Sequence, residues 1–207
     1  MINFLFEGVH TNHYHDGYYD IDPLCSSVTL IQHAGMNMLV DTGARYFYPQ
    51  LMAWLAEQHV KPEDIHHIFN THFHMDHCAN DAFFPNATVW VGRSLLDYKT
   101  GRARIFGKLE KMEYPSGITM FLTPGHTNDH ASYIYEEQGV KYVFGGDAVR
   151  EDIIRSQKMP YPHVPSEFVP SMKKIFNSGD IVVPGHGRRF EGALKDELYE
   201  LVCGTWK

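Results

Sequence analysis

The chain has 207 residues, 43% of them hydrophobic and 21% charged. That balance suits one soluble globular domain over residues 1–207 and excludes a disordered polymer. A formal charge of −7 argues against a dedicated duplex binder, which carries a basic surplus, and no apolar run approaches the roughly 20 residues of a membrane span. Cys25, Cys78 and Cys203 form no CxxC pair, and the start MINFLFEGVH lacks a basic leader, so the expected compartment is the reducing cytoplasm.

In chain order, GVHTNHYHDGYYD, with His10, His13 and His15, reads as a Tyr-rich loop before the first clear strand. VTLIQ (28–32) and NMLVD (37–41) read as strands flanking the turn residues Ala34-Gly35. Leu51, Met52 and Leu55 stand at helical spacing within 48–59. IHHIF (65–69) is a strand running into THFHMDH (71–77); His66 and His67 are consecutive on it, face opposite sides and are not read as ligands. After the strand ATVWV (87–91), KTGRARIFGKLEK (99–111) sets Lys99, Arg102, Arg104, Lys108 and Lys111 against Glu110. This segment reads as a solvated insert, with an anion-binding patch as the alternative. ITMFL (118–122) ends at Pro124-Gly125, and SYIYEE (132–137) with VKYVFGG (140–146) forms a hairpin around Gln138-Gly139. Phe168, Met172, Ile175 and Phe176 line one side of a helix over 166–177; DIVVPGHG (180–187) is a last strand and loop, and a helix at about 192–203 closes the chain. Interleaved strands and helices with hairpins in both halves predict an α/β fold with two sheets inside and helices outside.

Four potential ligands fall within THFHMDH. On an extended backbone, residues two apart share a face, so His72 and His74 can converge on one cation. A tight turn after His74 would swing Asp76 and His77 toward a second. Zinc prefers about four ligands of this kind, so two ions need further donors from elsewhere. Three segments offer them, each a strand end followed by a glycine-containing loop: His126 in TPGHT, Asp147 in GGD and His186 in VPGHG. Glycine lets the backbone turn sharply beside an ion.

HxHxDH followed by TPGHT, GGD and PGHG, with VDTG at 40–43, resembles the metallo-β-lactamase-fold hydrolases over about residues 27–190. The resemblance implies a four-layer αββα sandwich with metals at one edge of the sheets. Position by position, it implies His72, His74 and His126 on one metal, Asp76, His77 and His186 on the other, and Asp147 bridging both. Asp41 would stand behind the ligands and orient one of them. Two Zn2+ per chain are expected, with iron or manganese as alternatives. Two such ions acidify water to a pKa near 7, so a bridging hydroxide is the expected nucleophile. Asp76 is the expected catalytic residue, placed to ligate and also to relay the nucleophile's proton.

Outside that set, His130 reads as a structural hydrogen-bonder and Cys78 as a packing residue at a helix start. Arg150, Tyr161 and His163 are candidates for substrate contact, and Arg188 and Arg189 for an anion. The leading expectation is hydrolysis of a small-molecule ester, lactone or thioester. The alternative is a phosphodiesterase (nuclease) acting on nucleic acid, with single-stranded RNA as the partner, a reading that one short stand-alone group of the family suggests. A non-hydrolytic metal-binding or redox-sensing module is the reading from another class. Of protein partners only a homodimer is envisaged.

Overall fold

The computed structural model describes residues 1–10, 23–107, 112–115, 117–158, 164–204 and 206, with the backbone alone at 14–15 and 18–19. Thirteen strands and five α-helices follow in the order β1 (Ile2–Phe6), β2 (Tyr14–His15), β3 (Tyr18–Tyr19), β4 (Val28–His33), β5 (Met36–Val40), α1 (Tyr48–Glu57), β6 (Ile65–Asn70), α2 (Met75–Cys78), β7 (Thr88–Val91), β8 (Ser94–Asp97), β9 (Arg102–Ile105), β10 (Ile118–Leu122), β11 (Ala131–Glu137), β12 (Val140–Gly146), α3 (Glu151–Ser156), α4 (Pro165–Phe176), β13 (Ile181–Pro184) and α5 (Gly192–Gly204).

Two sheets carry the architecture, a seven-stranded one in the order β1-β4-β5-β6-β7-β8-β9 and a four-stranded one in the order β10-β11-β12-β13. Alternation along each strand sorts side chains between layers. Leu30, Leu39, Ile68 and Val89 pack outward against Leu51 and Leu55 of α1. Their neighbours Ile31, Met38, Val40, Phe69 and Trp90 point inward and meet Tyr133, Tyr135, Phe144 and Val183 of the second sheet. On that sheet's outer face, Val143 and Val182 are covered by Phe168, Met172 and Ile175 of α4 and Leu198 and Val202 of α5. The result is the expected αββα layering. Among the described residues no helix is long and apolar enough to cross a membrane.

Both expected hairpins form. Each closes through two residues with positive φ, Ala34 (49°) with Gly35 (78°) and Gln138 (52°) with Gly139 (82°), the left-handed pair that matches strand twist. Several elements were not expected, among them the short strands β2 and β3 in the Tyr-rich segment and β8 after β7. β1 pairs with β4 at the edge of the first sheet, β9 makes the opposite edge from the basic segment, and α3 follows the GGD loop.

Strand direction then fixes where the chemistry lies. β5, β6 and β7 run parallel. β10 and β12 are each antiparallel to β11, and β13 is parallel to β12. Asp41, the 71–77 segment, His126, Asp147 and His186 therefore all leave from C-terminal strand ends. Bonds between the sheets hold the two groups of loops together: Ala131 N–H donates to Thr71 O at 2.9 Å and Tyr133 Oη to Asn70 O at 2.9 Å.

Candidate metal centre

After β6 the chain bends at Thr71 and His72, is extended at His74 and enters α2 at Met75. That turn separates the ligands as the spacing demands. His72, His74 and His126 form one group that could hold an ion, Asp76, His77 and His186 a second, and His72, His77 and Asp147 lie between them, with ligand atoms in each group within 4.8 Å of one another. The rings of His72, His74 and His126 stand edge-on to each other at 77°, 89° and 85°, with centroids 4.5–4.8 Å apart. Such mutually perpendicular rings aim nitrogens at a common point. Asp147 faces both groups: Oδ1 is 3.3 Å from His77 Nε2 and 3.3 Å from His186 Nε2, and Oδ2 is 3.7 Å from His126 Nε2. Asp76 Oδ2 lies 3.1 Å from His186 Nε2 and 3.5 Å from His77 Nε2.

Each buried imidazole is anchored from behind. Asp41, at φ 53°, accepts the Thr71 amide at 2.8 Å through Oδ1, and its Oδ2 lies 2.8 Å from His77 Nδ1 and 3.0 Å from Thr71 Oγ1. Thr71 Oγ1 donates to Asp41 and accepts from His72 Nδ1 at 3.1 Å. His186 Nδ1 faces Val9 O at 2.9 Å and Cys25 O at 3.1 Å. In all three rings the network puts the proton on Nδ1 and turns the Nε2 lone pair inward. Asp41 thus lies against His77 Nδ1, on the side away from Asp147. Thr71 was not singled out, and its identity carries no motif signal; only its register between the sheet and His72 reveals its part.

His72 Nε2, His77 Nε2, His126 Nδ1, His186 Nε2 and Asp147 Oδ1 are buried with no aligned hydrogen-bond partner. Orphaned polar atoms cost about 1–3 kcal/mol each, and the four of them on His72, His77, His186 and Asp147 fit a set of metal ligands. Imidazole nitrogen with carboxylate oxygen suits zinc, iron or manganese. The loops are shaped for that closeness. A Cβ on Gly185 would lie 2.0 Å from Asp147 Oδ1, and one on Gly146 (φ +50°) 2.6 Å from Thr71 Oγ1.

The two halves differ in charge. Burial holds the His72 imidazole well below its usual pKa, and burial lowers His126 to about 4, so both are neutral at pH 7. At His77 and His186 burial also opposes charge, but carboxylates outweigh it: Asp41, Asp76 and Asp147 raise His77, and Asp147 with Asp76 raises His186 to about 9. Despite burial, His186 and His77 hold Asp147 well below the carboxylate range, and His77 with His186 lowers Asp76 to about 2. Without metal, protons on His77 and His186 balance these anions, and a divalent cation must displace them.

His130 is fully buried, stacked 5.2 Å from His72, with Nδ1 2.9 Å from Thr123 Oγ1. Cys78 closes α2 and donates its thiol to His74 O. His10, read as a loop residue, sits edge-on 5.1 Å from His186, its pKa lowered to about 4 by burial. Arg150 is buried against acids: it grips Asp152 at 2.7 and 3.1 Å and lies 3.7 Å from Asp147. Arg188 pairs with Glu151 at 3.0 Å, and Arg189 lies 3.5 Å from Glu7. Neither is brought to the ligand cage. Tyr161, His163 and His13 lie outside the described residues.

Residues 21–99 match the model of the metallo-beta-lactamase superfamily. A Methanocaldococcus jannaschii protein named as a metallo-hydrolase is 31% identical over 72% of this chain and 70% of its own length. The chain belongs to the metallo-β-lactamase superfamily. Within the superfamily it is similar to metallo-beta-lactamase domain-containing protein 1 of Xenopus laevis, 29% identical over 79% of this chain and 71% of that protein. The human and mouse proteins of that name are covered over 59% and 60% of their length, less than two thirds. Among solved structures, a metallo-beta-lactamase-type protein of Thermotoga maritima superposes with a TM-score of 0.70, covering 92% of this chain and 98% of that one at 21% identity. The chain is accordingly a superfamily hydrolase with His/Asp groups suited to metal.

Proposed function

We propose that this protein is a dinuclear zinc hydrolase acting on a small ester, lactone or thioester in the cytoplasm. One observation carries the reading: the two oxygens of Asp147 face two separate ligand groups, and beside them His72 Nε2, His77 Nε2 and His186 Nε2 are buried with no aligned hydrogen-bond partner. His72, His74 and His126 would hold one cation, Asp76, His77 and His186 the other, and Asp147 both. Such a pair supplies Lewis acidity, activating water and polarising the acyl oxygen. The chain's own part is to fix the cage and move a proton. Thr71, Asp41 and the Val9 and Cys25 carbonyls lock the ring tautomers, so no ligand reorients during reaction. Asp76, ionised at neutral pH, lies in the cage and also lines the open groove beside it; it is the carboxylate able to take the nucleophile's proton and return it to the leaving group.

A small acyl substrate is favoured over RNA by charge. Arg150, Arg188 and Arg189, the cations nearest the later loops, are paired with Asp152, Glu151 and Glu7, and the whole chain is acidic. The RNA reading retains the exposed Arg102 and Arg104 on β9. The test is metal analysis followed by side-by-side assays on an ester, a lactone, a thioester and single-stranded RNA. Two zinc equivalents with acyl hydrolysis support the proposal. One equivalent, or RNA cleavage alone, overturns it.

A further inference from the structure

Five large hydrophobic side chains are exposed among the described residues, and three of them, Tyr46, Phe73 and Met75, line one groove. Phe73 is 54% and Met75 79% exposed. Phe73 stands between His72 and His74, Met75 between His74 and Asp76, and both are exposed along the groove. The groove encloses about 300 Å³ and includes His74 and Asp76 in its wall, so it opens directly on the cage. Apolar surface kept in water beside a reactive centre is the mark of a binding face.

Arg45 also lines this groove. Its guanidinium lies 4.8 Å from the Phe83 ring centre and 5.2 Å from that of Tyr48, and among the described residues no carboxylate pairs with it. The next residue, Tyr46, is tied to Leu24, donating to its carbonyl at 2.6 Å and accepting its amide. A cation held by two rings on an anchored turn has already lost part of the freedom that usually weakens exposed ion pairs.

We propose that this groove holds the apolar arm of an acyl substrate, and that a carboxylate on that arm pairs with Arg45. The substrate class is then an ester, lactone or thioester of an amphipathic, anionic acid. This rests on the acyl-hydrolase reading for its chemistry, but the binding claim can be tested apart from it. RNA fits the groove poorly: a strand needs a row of free cations, whereas the groove wall offers one.

The test uses the protein as purified with its metal. Hydrolysis is compared for the p-nitrophenyl ester of octanoic acid and the mono-p-nitrophenyl ester of octanedioic acid. The anionic ester is expected to show the higher kcat/KM, and the ratio between the two to fall about five- to tenfold in Arg45→Gln. Calorimetry then compares octanoate with octanedioate. Either acid can place one carboxylate at the cage, but only octanedioate has a second for Arg45. Its advantage is expected to disappear in Arg45→Gln and to survive in Arg45→Lys. A further arm with octanoate carrying a terminal phosphate separates carboxylate from phosphate preference; a phosphate preference overturns the carboxylate assignment. Equal ratios and equal affinities in parent and Arg45→Gln overturn the proposal. If no ester is hydrolysed but the Arg45-dependent advantage of octanedioate persists, the acyl-hydrolase reading fails and the groove assignment stands. RNA cleavage that alone depends on Arg45 overturns both.

Discussion

The ligand cage and the groove beside it are two faces of the same residues, 72–76, yet they are held in opposite ways. His72 and His77 are fully buried, with each Nδ1 fastened by Thr71 or Asp41. Phe73 and Met75 face water, and most of their surface packs against nothing. The rings of the cage are cross-linked from behind by hydrogen bonds through Thr71 and Asp41. On the groove side Tyr46 is tied to Leu24, whereas Phe73 and Met75 are largely exposed. One segment can thus keep its chemistry fixed while its outer face varies.

Breaking the shared ligand should be the most severe test of that contrast. Asp147→Asn removes the carboxylate that faces both groups, and activity should fall by more than about 10³-fold, with metal content by mass spectrometry dropping from two equivalents toward one or none. Gly185→Ala forces a Cβ to within 2.0 Å of Asp147 Oδ1; a loss of roughly 10²-fold in activity with an unchanged circular dichroism spectrum is expected. Thr71→Val keeps the shape and deletes the hydroxyl, so metal affinity by competitive chelation should weaken about 10–100-fold. On the groove side, Phe73→Ala should leave both metal equivalents in place and raise KM for long-chain esters several-fold, about what one aromatic contact supplies.

The mildest expected effect is on stability alone. Burial, outweighing the hydrogen bonds from Thr42 and Asn70, raises the Asp81 carboxyl to about 7. Between about pH 4 and pH 7 the folded state keeps a proton that the unfolded chain has released, so stability declines as pH rises through that window and levels off above it. Asp81→Asn should flatten the decline and gain about 2 kcal/mol at pH 8, seen as a Tm increase of roughly 4–8 °C, with no gain at pH 4.

The candidate cage was legible in the sequence because its residues are chemically rare and locally patterned. Four sit in one heptapeptide and three follow glycine at strand ends. The hairpins were legible because Ala34-Gly35 and Gln138-Gly139 mark their turns. What escaped were features whose meaning depends on distant partners. β9 (RARI) is exposed along its whole length and shows no alternation, since only pairing with β8 makes it a strand. β1 is half-buried on every residue, and α3 is six residues long, too short to display a period. Thr71 and Arg45 carry no motif; each matters through what the fold sets beside it. The helix pattern of 166–177, by contrast, depended on local spacing alone, and α4 lies within one residue of that expectation at each end.

His186 hydrogen-bonds Val9 O, 177 residues earlier in the chain, and the Gly187 amide reaches Gly8 O at 2.7 Å. Synthesis delivers the first of those partners well before the second. A growing chain can complete its first sheet and the whole HxHxDH segment while the loop that closes the cage is still unmade. Contacts of such long sequence separation also form late in folding. A chain made only as far as β12 therefore carries part of the candidate metal site, and the His186 side of that site is set only once β13 and the loop after it are in place.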